Sequence, residues 1–216
     1  MAAVRLVLAS ASPARLTTLR RAGLDPLVRV SGVDEDAEVR RVGVTAAEDI
    51  ALVLAKAKAE DVAAALPRTN PGSPASPGLV LGCDSVLDVD GEVHGKPGDV
   101  ATARARWQLL RGRSAVLHTG HWLIDTRSGG GSVGAVGSTV VHFASISDDE
   151  LEAYLATGEP LGVAGAFTLD GLGGAFVSRI EGDPHCVVGV SVPLLRTLAA
   201  DLGIPWPQLW AVPPTP

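Results

Sequence analysis

The chain has 216 residues, 46% of them hydrophobic and 19% charged, with a net charge of −6 at pH 7. That is enough apolar material for a buried core and too little charge for a disordered chain, and without a basic stripe no nucleic-acid partner is expected. No apolar run approaches the roughly 20 residues of a membrane span, so no membrane partner is expected either. Met1 to Leu8, interrupted by Arg5, is too short for a signal peptide, and a cytoplasmic location follows by default.

Val4 to Ala9 reads as a buried strand running straight into Ser10-Ala-Ser-Pro-Ala-Arg15. Ser12 followed by Pro13 is an N-cap and N1 pair. Leu16, Leu19 and Ala22 then recur at helical spacing, and Gly23 ends the helix. Leu27 to Val33 is strand-like and leads into the acidic loop Asp34, Glu35, Asp36 and Glu38. Thr45 and Glu48 have capping-box spacing for a second helix to about Ala65, with Ile50, Val53, Leu54 and Ala57 as its stripe. Residues 67–78 carry four prolines with Ser and Gly and read as an exposed loop.

Leu79 to Cys83 is a buried strand delivering Asp84 at its end. Val86 to Val93 reads as a hairpin turning at Asp90-Gly91. Asp99 caps a third helix that closes at Gly112. Ala115 to Asp125 and Ser138 to Ala144 read as paired strands, joined by the Gly-rich segment 128–137. Ser147 and Glu150 form another capping box. Val163 to Val190, rich in Gly and β-formers, reads as two or three strands. Ser191 and Pro193 start a last helix that stops at Gly203, ahead of a proline-rich tail, 204–216. Helices alternate with strands, and two of the strand pairs are hairpins, so the fold class is α/β with a mixed sheet in one domain, 1–216.

Five groups of residues can carry chemistry. The strand-to-helix turn at Ser10, Ser12 and Arg15 offers free backbone N–H groups, two hydroxyls and a guanidinium, which together suit a phosphate. In the acidic cluster, Glu35 is the candidate for facing a site and holding a divalent ion or a ribose. The chain has 18 Lys plus Arg, and only three are Lys: Lys56, Lys58 and Lys96. A chain using Arg nearly everywhere keeps Lys where a compact ammonium is needed. Lys58 lies near the edge of the second helix's stripe, from which it either snorkels to water or reaches a phosphate. Asp84, followed by Ser85, ends an apolar strand where α/β sheets place their ligands. Lys96 follows the hairpin and can return to the same end. Gly165 to Gly174 contains Asp170 among glycines that allow close backbone approach. Cys83 and Cys186 read as small buried thiols, and the five histidines lack metal-ligand spacing. Neither a Walker-type loop nor a nucleophile elbow is present.

In order and spacing these segments resemble the Maf family. LASASPAR is similar to its S-x-S-x-x-R signature, GVDED to its acidic loop, LAKAKA to its helix lysine motif, and LGCDSVLDVDGEVHGKP to its strand and K-P return. RGR with HTG, TGEPLGVAGAFTLDGLGGAFV and GDPHCVVGVSVPLL complete a series spanning residues 4 to 203, with wording like that of an actinobacterial branch. The resemblance implies an elongated mixed α/β fold with two lobes and a central cleft, and a possible homodimer. It implies a nucleoside triphosphate pyrophosphatase, assisted by Mg²⁺ or Mn²⁺, that removes non-standard or pyrimidine nucleotides. By position, Ser10, Ser12, Arg15, Ser85 and Asp170 would bind substrate. Asp84, Glu35, Lys58 and Lys96 would be catalytic, with Asp84 and Glu35 on the metal. Two departures stand out. Ala115 follows Ser114 where members often have His, and Asp170 replaces a frequent Gln. A carboxylate reverses the hydrogen-bond pattern of an amide, which leaves base preference open.

The rival from another class is a non-catalytic, nucleotide-binding regulator of septum formation. A simple phosphomonoesterase is the enzymatic rival.

Overall fold

A computed structural model describes residues 4–66, 78–127 and 129–211 of the chain. The expected loop 67–78 (but for residue 78), the first residue of the 128–137 segment and the tail beyond 211 lie outside the described residues.

The sheet has seven strands among the described residues: β1 (Leu6–Leu8), β2 (Leu27–Val28), β3 (Leu79–Val89), β4 (Glu92–His94), β5 (Ser114–Asp125), β6 (Ser132–Phe143) and β7 (Val177–Glu181). Their order is β2-β1-β3-β5-β6-β7, with β4 on the far half of β3. β1 pairs parallel with both neighbours and every other pairing is antiparallel, so the sheet is mixed as expected. The helices are α1 (Pro13–Arg21), α2 (Glu35–Val42), α3 (Ala47–Ala65), α4 (Val100–Leu110), α5 (Asp148–Ala156), α6 (Pro184–Val188) and α7 (Val192–Asp201). No helix among the described residues is long and apolar enough to cross a membrane.

Local chemistry explains most of these boundaries. Ser12 caps α1 by accepting from Arg15 N, Asp99 caps α4 by accepting from Thr102 N at 2.9 Å, and Ser147 and Glu150 complete a reciprocal capping box on α5. Asp90 and Gly91 both adopt positive φ, 54° and 84°, as the primed turn of the β3–β4 hairpin requires.

Four expectations are corrected. The acidic stretch is not a loop: Asp34 caps α2 and Glu35, Asp36 and Glu38 fill its first turn, where carboxylates suit the positive helix end. α2 buries none of its residues, and its three apolar ones, Ala37, Val39 and Val42, are few among charges. Thr45 and Glu48 form no capping box, because α3 begins one residue later, with Ala46 at the cap position. Most of the Gly-rich segment before Ser138 is strand, since β6 starts at Ser132; Gly134 leaves room for the ring of Trp122. Residues 163–190 contain one strand, β7; the remainder is short 3-10 turns and α6.

Two main core clusters share the long strands β3 and β5. One gathers Leu6, Leu8, Leu79, Leu81 and Cys83 beneath α1 and α7. The other gathers Leu87, Leu117, Phe143 and Phe167 around Trp107 of α4. Trp107 is fully buried, makes edge contacts with Phe143, Tyr154 and Phe176, and donates from Nε1 to Ala166 O at 2.7 Å. Asp84 and Ser85 lie on β3 between the two clusters, which sets the position of the cleft.

Candidate active site

The middle of the sheet is stripped of side chains on one face so that α3 can lie directly against it. A Cβ on Gly82 would come within 2.0 Å of Ala55 O, and one on Gly120 within 2.1 Å of Ala51 O. These glycines sit on neighbouring strands, Gly82 opposite Trp122 and Asp84 opposite Gly120. Close helix–sheet approach brings Lys58 of α3 onto Asp84 of β3. Lys58 Nζ lies 2.5 Å from Asp84 Oδ1 and 2.6 Å from Glu35 Oε1. Lys58 therefore does not snorkel to water. It is 8% exposed and bridges two carboxylates from α2 and β3.

The opposite flank is built on Arg15. Placed in the first turn of α1 and 9% exposed, its guanidinium donates from Nε to Gly189 O at 2.7 Å. It also reaches Ser10 Oγ at 3.0 Å and Ser85 Oγ at 3.1 Å. Ser85 Oγ is also 2.9 Å from Thr119 Oγ1, which donates to Cys186 O. Arg15 thus ties α1, β3 and the end of α6 together, with Ser10 and Ser12 at the same helix end.

Lys96 stands exposed on the turn after β4. Its neighbour Gly95 offers a carbonyl that accepts from Arg106 Nη1 and, at 3.3 Å, from Gly165 N. Those bonds hold the lysine's turn against the segment that carries Asp170. A cleft of ≈ 390 Å³ results, lined by Ser10, Ser12, Arg15, Glu35, Lys58, Asp84, Ser85, Lys96 and Asp170. Every site residue named from the sequence therefore faces one cavity. Lys56 does not: it lies 3.9 Å from Glu60 and over the ring of Trp122.

Electrostatics separates the two carboxylates. Burial pushes Asp84 up, and the charges of Lys58 and Arg15 oppose this without cancelling it. Burial also raises Glu35, but there the hydrogen bond and charge of Lys58, helped by Lys96 and Arg15, hold it below its ordinary value. Such a split is what acid–base chemistry uses. Sequence reasoning missed the supports: Gly120, Thr119, Arg106 and the Gly189 carbonyl. The glycine within the buried run Leu79 to Cys83 was a readable sign of close backbone approach.

The model of the Maf-like protein family matches residues 5–202. The chain belongs to the Maf family. It is 56% identical over 208 residues to a protein named nucleoside triphosphate pyrophosphatase from Rhodococcus jostii (strain RHA1), covering 95% of each chain. A protein of the same name from Salinispora tropica is 56% identical, with 96% of this chain and 88% of that one covered. Another, from Streptomyces coelicolor, is 54% identical over 207 residues, covering 96% and 95%. The Maf match runs through every segment that lines the cleft.

Proposed function

We propose that this chain is a nucleoside triphosphate pyrophosphatase that cleaves between the α- and β-phosphates. The observation that carries the reading is the Lys58 ammonium held between Asp84 and Glu35, in a cleft whose other walls bring Arg15 and Lys96. A triphosphate needs several cations converging from different directions and a base beside one phosphorus, and this cavity offers both. The relatives named for the same activity support it.

In this reading Ser10, Ser12 and Ser85 and the positive end of α1 receive phosphate oxygens. The Arg15 fork fixes the orientation of the chain. Lys96 and Lys58 offset the charge that develops on the departing pyrophosphate, a positioning and electrostatic task. Asp84, whose burial raises its proton affinity, takes the proton of the attacking water; a base works best when its pKa approaches the working pH. Asp170, exposed and lining the same cleft, is a substrate contact.

The donor set fits a divalent cation. Asp84 and Glu35 are hard oxygen donors close enough to share one ammonium, and Mg²⁺ or Mn²⁺ is commonly held by one or two carboxylates plus substrate phosphates. No group of three or more acidic, His or Cys ligands occurs among the described residues, so the phosphates would complete the coordination. When bound, such an ion would polarise the phosphate and make its water more acidic.

Incubation with each common (d)NTP and Mg²⁺ or Mn²⁺, with products resolved, tests the reading. Monophosphate plus pyrophosphate is expected. Orthophosphate plus diphosphate would point to a phosphatase, and tight binding without turnover to a regulator; either result overturns the proposal.

A further inference from the structure

One wall of the cleft comes from residues 162–170, where short 3-10 turns run into irregular backbone that belongs to no strand. A single carboxylate holds its end. Glu159 Oε1 accepts from Tyr154 Oη at 3.0 Å, from Gly173 N at 2.9 Å and from Thr168 Oγ1, while Oε2 accepts from Leu172 N at 3.0 Å. Three of these donors bracket the segment Thr168 to Gly173 from both ends. The fit is tight: a Cβ on Gly171 would lie 2.6 Å from Glu159 Oε2, and one on Gly173 2.4 Å from Tyr154 Oη. Burial alone would raise Glu159, yet its hydrogen-bond donors hold the carboxyl below its ordinary value, so it carries full charge. Charged acceptors make the stronger hydrogen bonds. Tyr154 itself is packed against Trp107 and Phe176, which anchors the hub in the core.

Glu159 does not line the cleft, whereas Thr168, Leu169 and Asp170 do. We propose that Glu159 is a positioning residue: it fixes the Thr168–Asp170 wall so that the Asp170 carboxylate meets the bound nucleotide at one place. This inference rests on the pyrophosphatase reading and adds to it a residue that never touches substrate.

A double-mutant cycle tests it. Glu159→Leu, Asp170→Asn and the double variant are compared for kcat and KM separately, with thermal unfolding followed in parallel. Glu159→Leu is expected to lower kcat about tenfold or more, as small misplacements in a site do. In the Asp170→Asn background the same change should cost less than about threefold, because it acts through Asp170. Glu159→Gln, which keeps an acceptor at the Oε1 position but turns its NH₂ towards Leu172 N, should recover part of the loss. Equal losses in both backgrounds would mark Glu159 as a general fold element and overturn the proposal. So would wild-type kinetics in either Glu159→Leu or Asp170→Asn. Should Glu159→Leu fail to fold, Tyr154→Phe removes one donor from outside the cleft and is read in the same cycle, with the same coupling expected and additivity overturning it. Wild-type protein that releases no pyrophosphate from any triphosphate removes both the reading and the inference; active wild type with an additive cycle removes only the inference.

Discussion

Replacing Asp84 by Asn separates what this carboxylate does for the fold from what it does for chemistry. Asn is nearly isosteric, and its Oδ1 can still accept from Lys58 Nζ, now 2.5 Å from Asp84. Lys58 also keeps Glu35 at 2.6 Å, so its charge is not stranded. Burial works against the Asp84 charge, and the exchange removes that opposition. Stability should therefore stay within about 1 kcal/mol of wild type, about 2–4 °C in Tm for a chain of this size, or rise. Turnover should behave otherwise. A lost general base costs about 10²–10⁴-fold, which is about 3–5 kcal/mol of barrier. Pyrophosphate release under saturating triphosphate with Mn²⁺, alongside differential scanning calorimetry, reads both sides. Near wild-type turnover would remove Asp84 from the role of base. A collapse of Tm would show it to be chiefly a structural partner of Lys58.

Gly82→Ala should drive α3 off the sheet, since the new methyl would meet Ala55 O at 2.0 Å; a loss of at least about 1–3 kcal/mol in denaturant unfolding is expected, together with a fall in kcat because Lys58 moves with the helix. Arg15→Lys keeps the charge but cannot span Gly189 O, Ser10 Oγ and Ser85 Oγ, so kcat/KM should drop by about 10–100-fold, which steady-state kinetics will measure. His121 is fully buried, accepts from Ser191 N at 2.8 Å, and is lowered from 6.5 to about 4, mainly by burial. A depressed folded pKa means that stability is intact above about pH 6.5 and is lost as the pH falls towards 4, by on the order of 3 kcal/mol. Urea titrations across that window check the slope, which should flatten in His121→Asn.

Local chemistry was the legible part of this chain. Ser12, Asp99 and the Ser147–Glu150 box announced their helices because a cap acts within four residues. Asp90-Gly91 announced its hairpin for the same reason. The strand ending in Asp84 was legible as an apolar run, and the phosphate-suited turn at Ser10 to Arg15 as a hydroxyl-rich helix start. α2 was not legible, because its eight residues carry only three apolar ones, Ala37, Val39 and Val42, none of them buried, and the charged residues around them read as a loop. Residues 163–190 misled because Gly beside β-formers reads as strand, whereas here Gly165 supplies a positive φ of 75° inside a turn. What no local pattern could reveal is the meeting of Lys58 with both Glu35 and Asp84. That depends on two bare glycines, Gly82 and Gly120, on different strands. The hub at Glu159 is hidden for a similar reason, since its donors are a helix tyrosine, the Thr168 hydroxyl and the backbone of the turn at Leu172 and Gly173.

The most direct test of the account follows an oxygen atom. Hydrolysis of a triphosphate substrate in H₂¹⁸O, with products analysed by mass spectrometry, reports which phosphorus the water attacks. With Asp84 activating water at the α-phosphorus and Lys96 and Lys58 offsetting the charge of the departing pyrophosphate, the label should appear in the monophosphate alone. Label in the pyrophosphate would place the attack at the β-phosphorus and contradict this arrangement of base and cations.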